Sequence, residues 1–195
     1  MKKLILSKWF LALAGCLAFA IAPLQAANPA DSLKGNLVRL EASKLNPTDA
    51  AALDGVKYYA FYYSAHWCPP CRAFTPELVD FYKRNKKKHP QFEIIFVSSD
   101  QSDADMKKYM ETYHMPWLAV DFAKSKEFQQ YAGPGIPCLV VVDENGTVLE
   151  NSFEGDNYVG PAKVMEALGK RLRADAKTTA GSSEVKAPFK SELRR

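Results

Sequence analysis

The apolar positions change period several times along the chain, and each change marks an element. Lys57 to Ser64 is an aromatic run of the kind that fits a pleated surface, carrying Tyr58, Tyr59, Phe61, Tyr62 and Tyr63. Phe92 to Ser98 predicts a second strand and Cys138 to Asp143 a third. That third run continues through Glu144-Asn145-Gly146 into Thr147 to Glu150. Asn-Gly between two apolar runs predicts a hairpin, because both residues tolerate positive φ. Helical spacing lies between the strands. Phe74, Leu78, Phe81 and Tyr82 mark one helix, and Met106, Tyr109, Met110 and Tyr113 a second. Ser102, three residues before Asp105, is a start signal for that second helix. Val164, Met165, Leu168 and Leu172 mark a closing helix. Strands alternating with helices, then a hairpin and a last helix, predict an α/β fold: a central mixed sheet flanked by helices on both faces.

The flanks read differently. Residues 27–36 are polar and without period, as in a linker, so the domain is expected over 37–172. Residues 173–195 hold little but Ala, Ser, Thr, Lys and Arg, which predicts a disordered basic tail. At the other end Lys2, Lys3 and Lys8 precede the apolar run Trp9 to Ala22, followed by Pro23-Leu24-Gln25-Ala26. This is the pattern of a secretory signal over 1–26, too short for the roughly 20 residues of a spanning helix. Leu13-Ala14-Gly15-Cys16 also resembles a lipoprotein box in which Cys16 would be acylated. The residues after Cys16 stay apolar to Leu24, which favours simple cleavage after Ala26 and a soluble, exported, periplasmic chain. Export brings the remaining cysteines into an oxidising compartment.

At 195 residues the chain has room for one domain with appendages. Its net charge of +4 sits at the two ends: residues 27–170 carry 16 bases against 19 acids. A nucleic-acid binder shows its positive charge on the folded surface, so that class of partner is not expected.

Trp67-Cys68-Pro69-Pro70-Cys71 directly follows the first predicted strand and opens the next helix. A helix N-terminus favours an anion, so a Cys68 thiolate is stabilised there. The spacing brings both sulfurs within one turn, with Cys68 as attacker and Cys71 as resolver. A structural disulfide and half of a zinc site are the alternatives. A four-residue ring contributes only about 2 kcal/mol, against ~3 for fifteen residues, so stability alone explains it poorly. Zinc would need Cys138 and one of His66, His89 or His114 as further ligands. Gly135-Ile136-Pro137, just ahead of the third strand, is a second signal: proline can open such a strand, and a cis Ile136–Pro137 bond would be a turn feature. Cys138 is expected to be a buried thiol turned away from the pair, His66 a loop residue beside Cys68, and Lys83 to Lys88 a solvated basic face.

These residues resemble the thioredoxin superfamily, more narrowly its tryparedoxin and nucleoredoxin branch. The resemblance covers about residues 37–172. It rests on Phe61 to Ala65, Trp67 to Arg72, Phe74-Thr75-Pro76, Val97 to Asp100, Met115 to Ala119 and Gly135-Ile136-Pro137. It implies a thioredoxin-like fold, with Cys68 as nucleophile, Cys71 as resolving thiol and Pro137 as a cis-proline facing them. It also implies that Trp67, Trp117 and Ile136 line a docking groove. Many thioredoxins carry a buried aspartate six residues before the nucleophile; here Tyr62 stands there. Pro134 replaces the acidic residue that trypanothione-using tryparedoxins place two before the isoleucine, and no arginine follows the hairpin, so the likeness does not extend to a polyamine-conjugated thiol.

The expected function is therefore an exported thiol–disulfide oxidoreductase. It would act as a monomer on protein thiols and disulfides, fed by an upstream protein electron donor, with no metal or other cofactor beyond the Cys68–Cys71 disulfide. Two alternatives stand beside it: a periplasmic reductase serving cytochrome c maturation, and a redox-regulated binding module without turnover.

Overall fold

A computed structural model gives the fold and describes residues 28–184. The segment expected to be a secretory signal, 1–26, and Cys16 within it lie outside the described residues. Nine strands and four α-helices follow in the order α1 (Pro29–Leu33), β1 (Leu37–Glu41), β2 (Lys44–Thr48), β3 (Tyr58–Ser64), α2 (Pro69–Asn85), β4 (Phe92–Ser98), α3 (Asp103–Thr112), β5 (Leu118–Val120), β6 (Cys138–Asp143), β7 (Val148–Asn151), β8 (Phe153–Glu154), β9 (Asn157–Tyr158) and α4 (Pro161–Glu184). Two 3₁₀ turns, Ala50–Leu53 and Phe122–Phe128, complete the path.

Seven strands form one mixed sheet in the order β2-β1-β5-β4-β3-β6-β7, and β8 with β9 forms a separate small hairpin. β3 is central, parallel to β4 and antiparallel to β6. Its aromatic run therefore needs two apolar faces, and it has them. Ala60 and Tyr62 face a core built with α2, α3 and α4; Tyr59, Phe61 and Tyr63 face a second core closed by α1, the 3₁₀ turns and Tyr131. Helices cover the first face, whereas the second is covered by short pieces.

The two flanks depart from expectation. Within 27–36, Asn28 accepts the Ala30 N–H at 2.9 Å and Pro29 opens a five-residue helix whose Leu33 is buried. One turn of helix is too short to leave a period in the sequence. At the other end α4 runs on to Glu184, so residues 173–184 are helical rather than a disordered tail. Their Ala, Lys and Arg are strong helix formers, and lack of apolar content predicts only the lack of a buried face. Asp175 accepts a 2.7 Å hydrogen bond from the Tyr58 hydroxyl, which ties this extension to the sheet.

Turn chemistry differs in detail. In the β6–β7 turn only Gly146 takes positive φ, at 77°, while the Asp143 carboxylate accepts the N–H groups of Asn145 and Thr147 at 2.8 Å each. The β1–β2 hairpin turns through Ala42 and Ser43 at positive φ, without the glycine that would announce it. The basic run at the end of α2 is not wholly solvated. Lys86 reaches back to the buried Glu93 carboxylate at 2.9 Å and to the Phe92 carbonyl at 2.6 Å.

Candidate redox site

Strand β3 ends at Ser64, and the chain turns through Ala65, His66 and Trp67 into α2, whose N-cap is Cys68. This turn is fixed from three sides. The Asp100 carboxylate accepts the His66 N–H at 2.7 Å, the Arg72 guanidinium donates to the His66 carbonyl at 2.7 Å, and the Trp67 indole N–H donates to the Ser99 carbonyl at 3.1 Å. The His66 ring lies against Tyr109, with centroids 5.7 Å apart. Burial pushes the Asp100 carboxyl up, against the opposing pull of the His66 N–H and the Ser98 hydroxyl.

Cys68 and Cys71 form a disulfide across the first turn of α2. Pro69 and Pro70 occupy the first two helical positions and carry no N–H, so the Cys71 N–H is the first to reach Cys68, at 3.3 Å from its Sγ. With the bond formed both sulfurs are largely covered: Cys68 is 3% exposed and Cys71 0%. Cys68 is thus less open than a partly exposed nucleophile, yet it is the one of the pair that solvent reaches. The Ile136–Pro137 bond is cis, and the Ile136 carbonyl lies 3.9 Å from Cys68 Sγ.

Of the residues expected to line a docking groove, Trp67 stands out at 56% exposure, and Ile136 packs half-buried against the cysteines. Trp117 does not belong with them. It is 0% exposed and packs edge-on against Tyr62 and Tyr82 inside the helical core. Its place one residue before β5 turns it under the sheet, so the correction follows from strand direction.

Cys138 is buried with Val140 and Val142 on the α1 side of β6, opposite the face on which α2 packs. Burial pushes its thiol up, more than the Gly133 backbone and Ser152 contacts pull it down. Among the described residues no three His, Cys, Asp or Glu side chains gather in a metal-holding group.

Several contacts that build the site have no signal in the sequence. Tyr158, 47% exposed on β9, donates to the Pro137 carbonyl at 2.9 Å and stacks on Phe153 at 4.8 Å between centroids. Phe153 in turn covers Gly133, where a Cβ would run into its ring. A cleft of about 480 Å³ is lined by Ser99, whose carbonyl accepts the Trp67 indole N–H, and by Asp100, Phe122, Lys126 and Gln129 among others. Below the disulfide, Tyr62, Ser64, Thr75 and Tyr109 join their hydroxyls. Residues so far apart in sequence meet only because β3, α2 and α3 converge, which no local pattern could signal.

A disulfide at the head of a helix, with one sulfur nearer to solvent and a cis-proline alongside, is the arrangement of a thioredoxin-like protein. A thioredoxin-like family model matches residues 55–148. A nucleoredoxin from Danio rerio is 39% identical over 124 residues, 62% of this chain and 28% of that one. Among solved structures, a thioredoxin from Wuchereria bancrofti is 32% identical at TM-score 0.56, covering 71% of this chain and 96% of that one. Tryparedoxin I from Leishmania major is 30% identical at TM-score 0.54, covering 75% and 94%. The chain belongs to the thioredoxin superfamily, in its nucleoredoxin- and tryparedoxin-like branch. It spans only about a quarter of the length of the nucleoredoxins it matches.

Proposed function

We propose that the protein is an exported thiol–disulfide oxidoreductase that reduces or exchanges disulfides of other proteins. The observation that carries this reading is the placement of Cys68. It caps α2, accepts the Cys71 N–H, and lies beside the exposed Trp67 and the Ile136 carbonyl. A substrate disulfide is attacked by the Cys68 thiolate, giving a mixed disulfide and releasing one substrate thiolate. Cys71 then loses its proton and attacks Cys68 Sγ; the second substrate sulfur leaves with the bonding electrons and takes up a proton. The substrate gains two electrons and two protons, and the Cys68–Cys71 disulfide is restored. An upstream protein dithiol returns it to the reduced form.

The signal pattern at residues 1–26 supports work outside the cytoplasm, where protein disulfides persist. The exposed Trp67 next to Cys68, with the exposed Tyr158 on the Pro137 carbonyl, supports a protein substrate. Reduction of insulin with dithiothreitol as donor, followed by the turbidity of the released B chain, tests the reading. Turnover that depends on Cys68 supports it. A protein whose thiols are reduced and accessible, yet which gives no rate above dithiothreitol alone, would instead be a binding module.

A further inference from the structure

The most unusual feature near the disulfide is a closed ring of four buried hydroxyls. Ser64 Oγ lies 3.0 Å from the Tyr62 hydroxyl and 3.0 Å from that of Tyr109. Thr75 Oγ1 lies 2.9 Å from Tyr62 and 2.5 Å from Tyr109, which closes the ring. A fifth short contact leaves it, because Thr75 Oγ1 is also 2.9 Å from the Cys71 carbonyl, with the Tyr62 hydroxyl farther off at 3.4 Å. All four side chains are buried.

Each hydroxyl has one proton to donate, so four protons serve five short contacts. Two arrangements share them equally well. In one, Thr75 donates to the Cys71 carbonyl and accepts from both tyrosines, Ser64 donates to one tyrosine, and one Ser64 contact stays empty. In the other, all four protons circulate within the ring and the Cys71 carbonyl loses its side-chain donor. The arrangements differ only in hydroxyl rotation. Burial raises the Tyr62 and Tyr109 hydroxyls above the ordinary tyrosine value, so the ring turns its dipoles without taking up charge. Its outlet is the peptide carbonyl of the resolving cysteine, the residue whose own N–H points at Cys68 Sγ.

We propose that Tyr62, Ser64, Thr75 and Tyr109 are positioning residues for the resolving step: they hold the Cys71 turn of α2 through its carbonyl and reorient their hydroxyls as Cys71 gives up its proton. The inference rests on the exchange reading above. The ring takes no part in the electron balance. The Cys71 proton ends on the leaving substrate thiolate, the Cys68–Cys71 bond forms, and the mixed disulfide breaks.

The test separates attack from resolution by stopped-flow, following a disulfide peptide with a fluorophore quenched until release. Thr75→Val keeps the side-chain shape and removes all three of its contacts, to Tyr62, Tyr109 and the Cys71 carbonyl. It should slow resolution by about tenfold, the effect expected for losing the buried hydrogen bond to the Cys71 carbonyl. It should also raise the pH midpoint of resolution while leaving attack by Cys68 within about twofold. Thr75→Ser, which keeps the hydroxyl, should restore rate and midpoint. Tyr109→Phe opens the ring without touching the Cys71 carbonyl and should give a smaller shift in the same direction; it carries the test if Thr75→Val does not fold. Resolution with unchanged rate and midpoint in folded Thr75→Val, or an equal slowing of attack, overturns the proposal while leaving the exchange reading intact. A parent protein that forms no mixed disulfide overturns both.

Discussion

Replacing Pro70 with Ala should make Cys68 a stronger acid. The first turn of α2 normally offers several unpaired N–H groups to its cap, but Pro69 and Pro70 remove two of them and leave Cys71 N–H to face Cys68 Sγ, at 3.3 Å. Pro70→Ala restores one donor at the second helical position, from which an N-cap side chain can be reached. Pro70 is exposed, so the change leaves the core untouched. A hydrogen bond to a thiolate still in contact with water contributes about 1 kcal/mol. One pKa unit corresponds to ~1.36 kcal/mol, so the Cys68 pKa should fall by about 0.7 unit. Stabilising the reduced form by that amount should also make the pair more oxidising by about 20 mV. Thiolate absorbance at 240 nm against pH, with iodoacetamide labelling of Cys68 alongside, reads the first quantity, and equilibration with glutathione reads the second. An unchanged or raised pKa in Pro70→Ala would refute the argument that the count of free N–H groups at the helix start sets the acidity of Cys68.

The two tryptophans should part company: Trp117→Ala should cost about 3–5 kcal/mol in urea unfolding because it empties a packed core site. Trp67→Ala should leave stability within about 0.5 kcal/mol yet raise KM for a protein disulfide, and the reverse pattern would contradict the assignment. High pH should destabilise the fold. Burial holds Tyr59, Tyr63, Tyr82 and Tyr109 above the ordinary tyrosine value and, with help from Asp175, pushes Tyr58 up to about 12. Folded-state values above the unfolded ones mean that this stability is complete below about pH 10 and is lost as pH rises through the shifted values. Phenolate absorbance at 295 nm should therefore rise together with unfolding; phenolate formed near pH 10 in an intact fold would contradict it.

Where a residue's role follows from its neighbours in sequence, the chain was legible. β4 and β6 run over the predicted residues because a strand buried on both faces is a continuous apolar run bounded by polar breaks. Ser102 caps α3 through the Asp105 N–H, as their spacing signals. The cysteine pair and the cis-proline carry local signatures too. What escaped notice depends on distant partners. Trp117 stands in a motif that resembles a groove wall, but its burial is decided by Tyr62 and Tyr82 on other elements. The hydroxyl ring joins β3, α2 and α3, and nothing in Ser64, Thr75 or Tyr109 alone distinguishes them from ordinary polar residues. Helix α4 beyond Leu172 is the converse case, a helix that continues without apolar spacing.

The central claim is that Cys68 attacks and Cys71 resolves, and intact and peptide mass spectrometry of Cys71→Ser after exposure to a disulfide substrate tests it most directly. The account predicts a stable adduct of one substrate half on Cys68, none on the buried Cys138, and no adduct at all in Cys68→Ser. An adduct on Cys138, or a Cys68→Ser protein that still turns over at the parent rate, would contradict it.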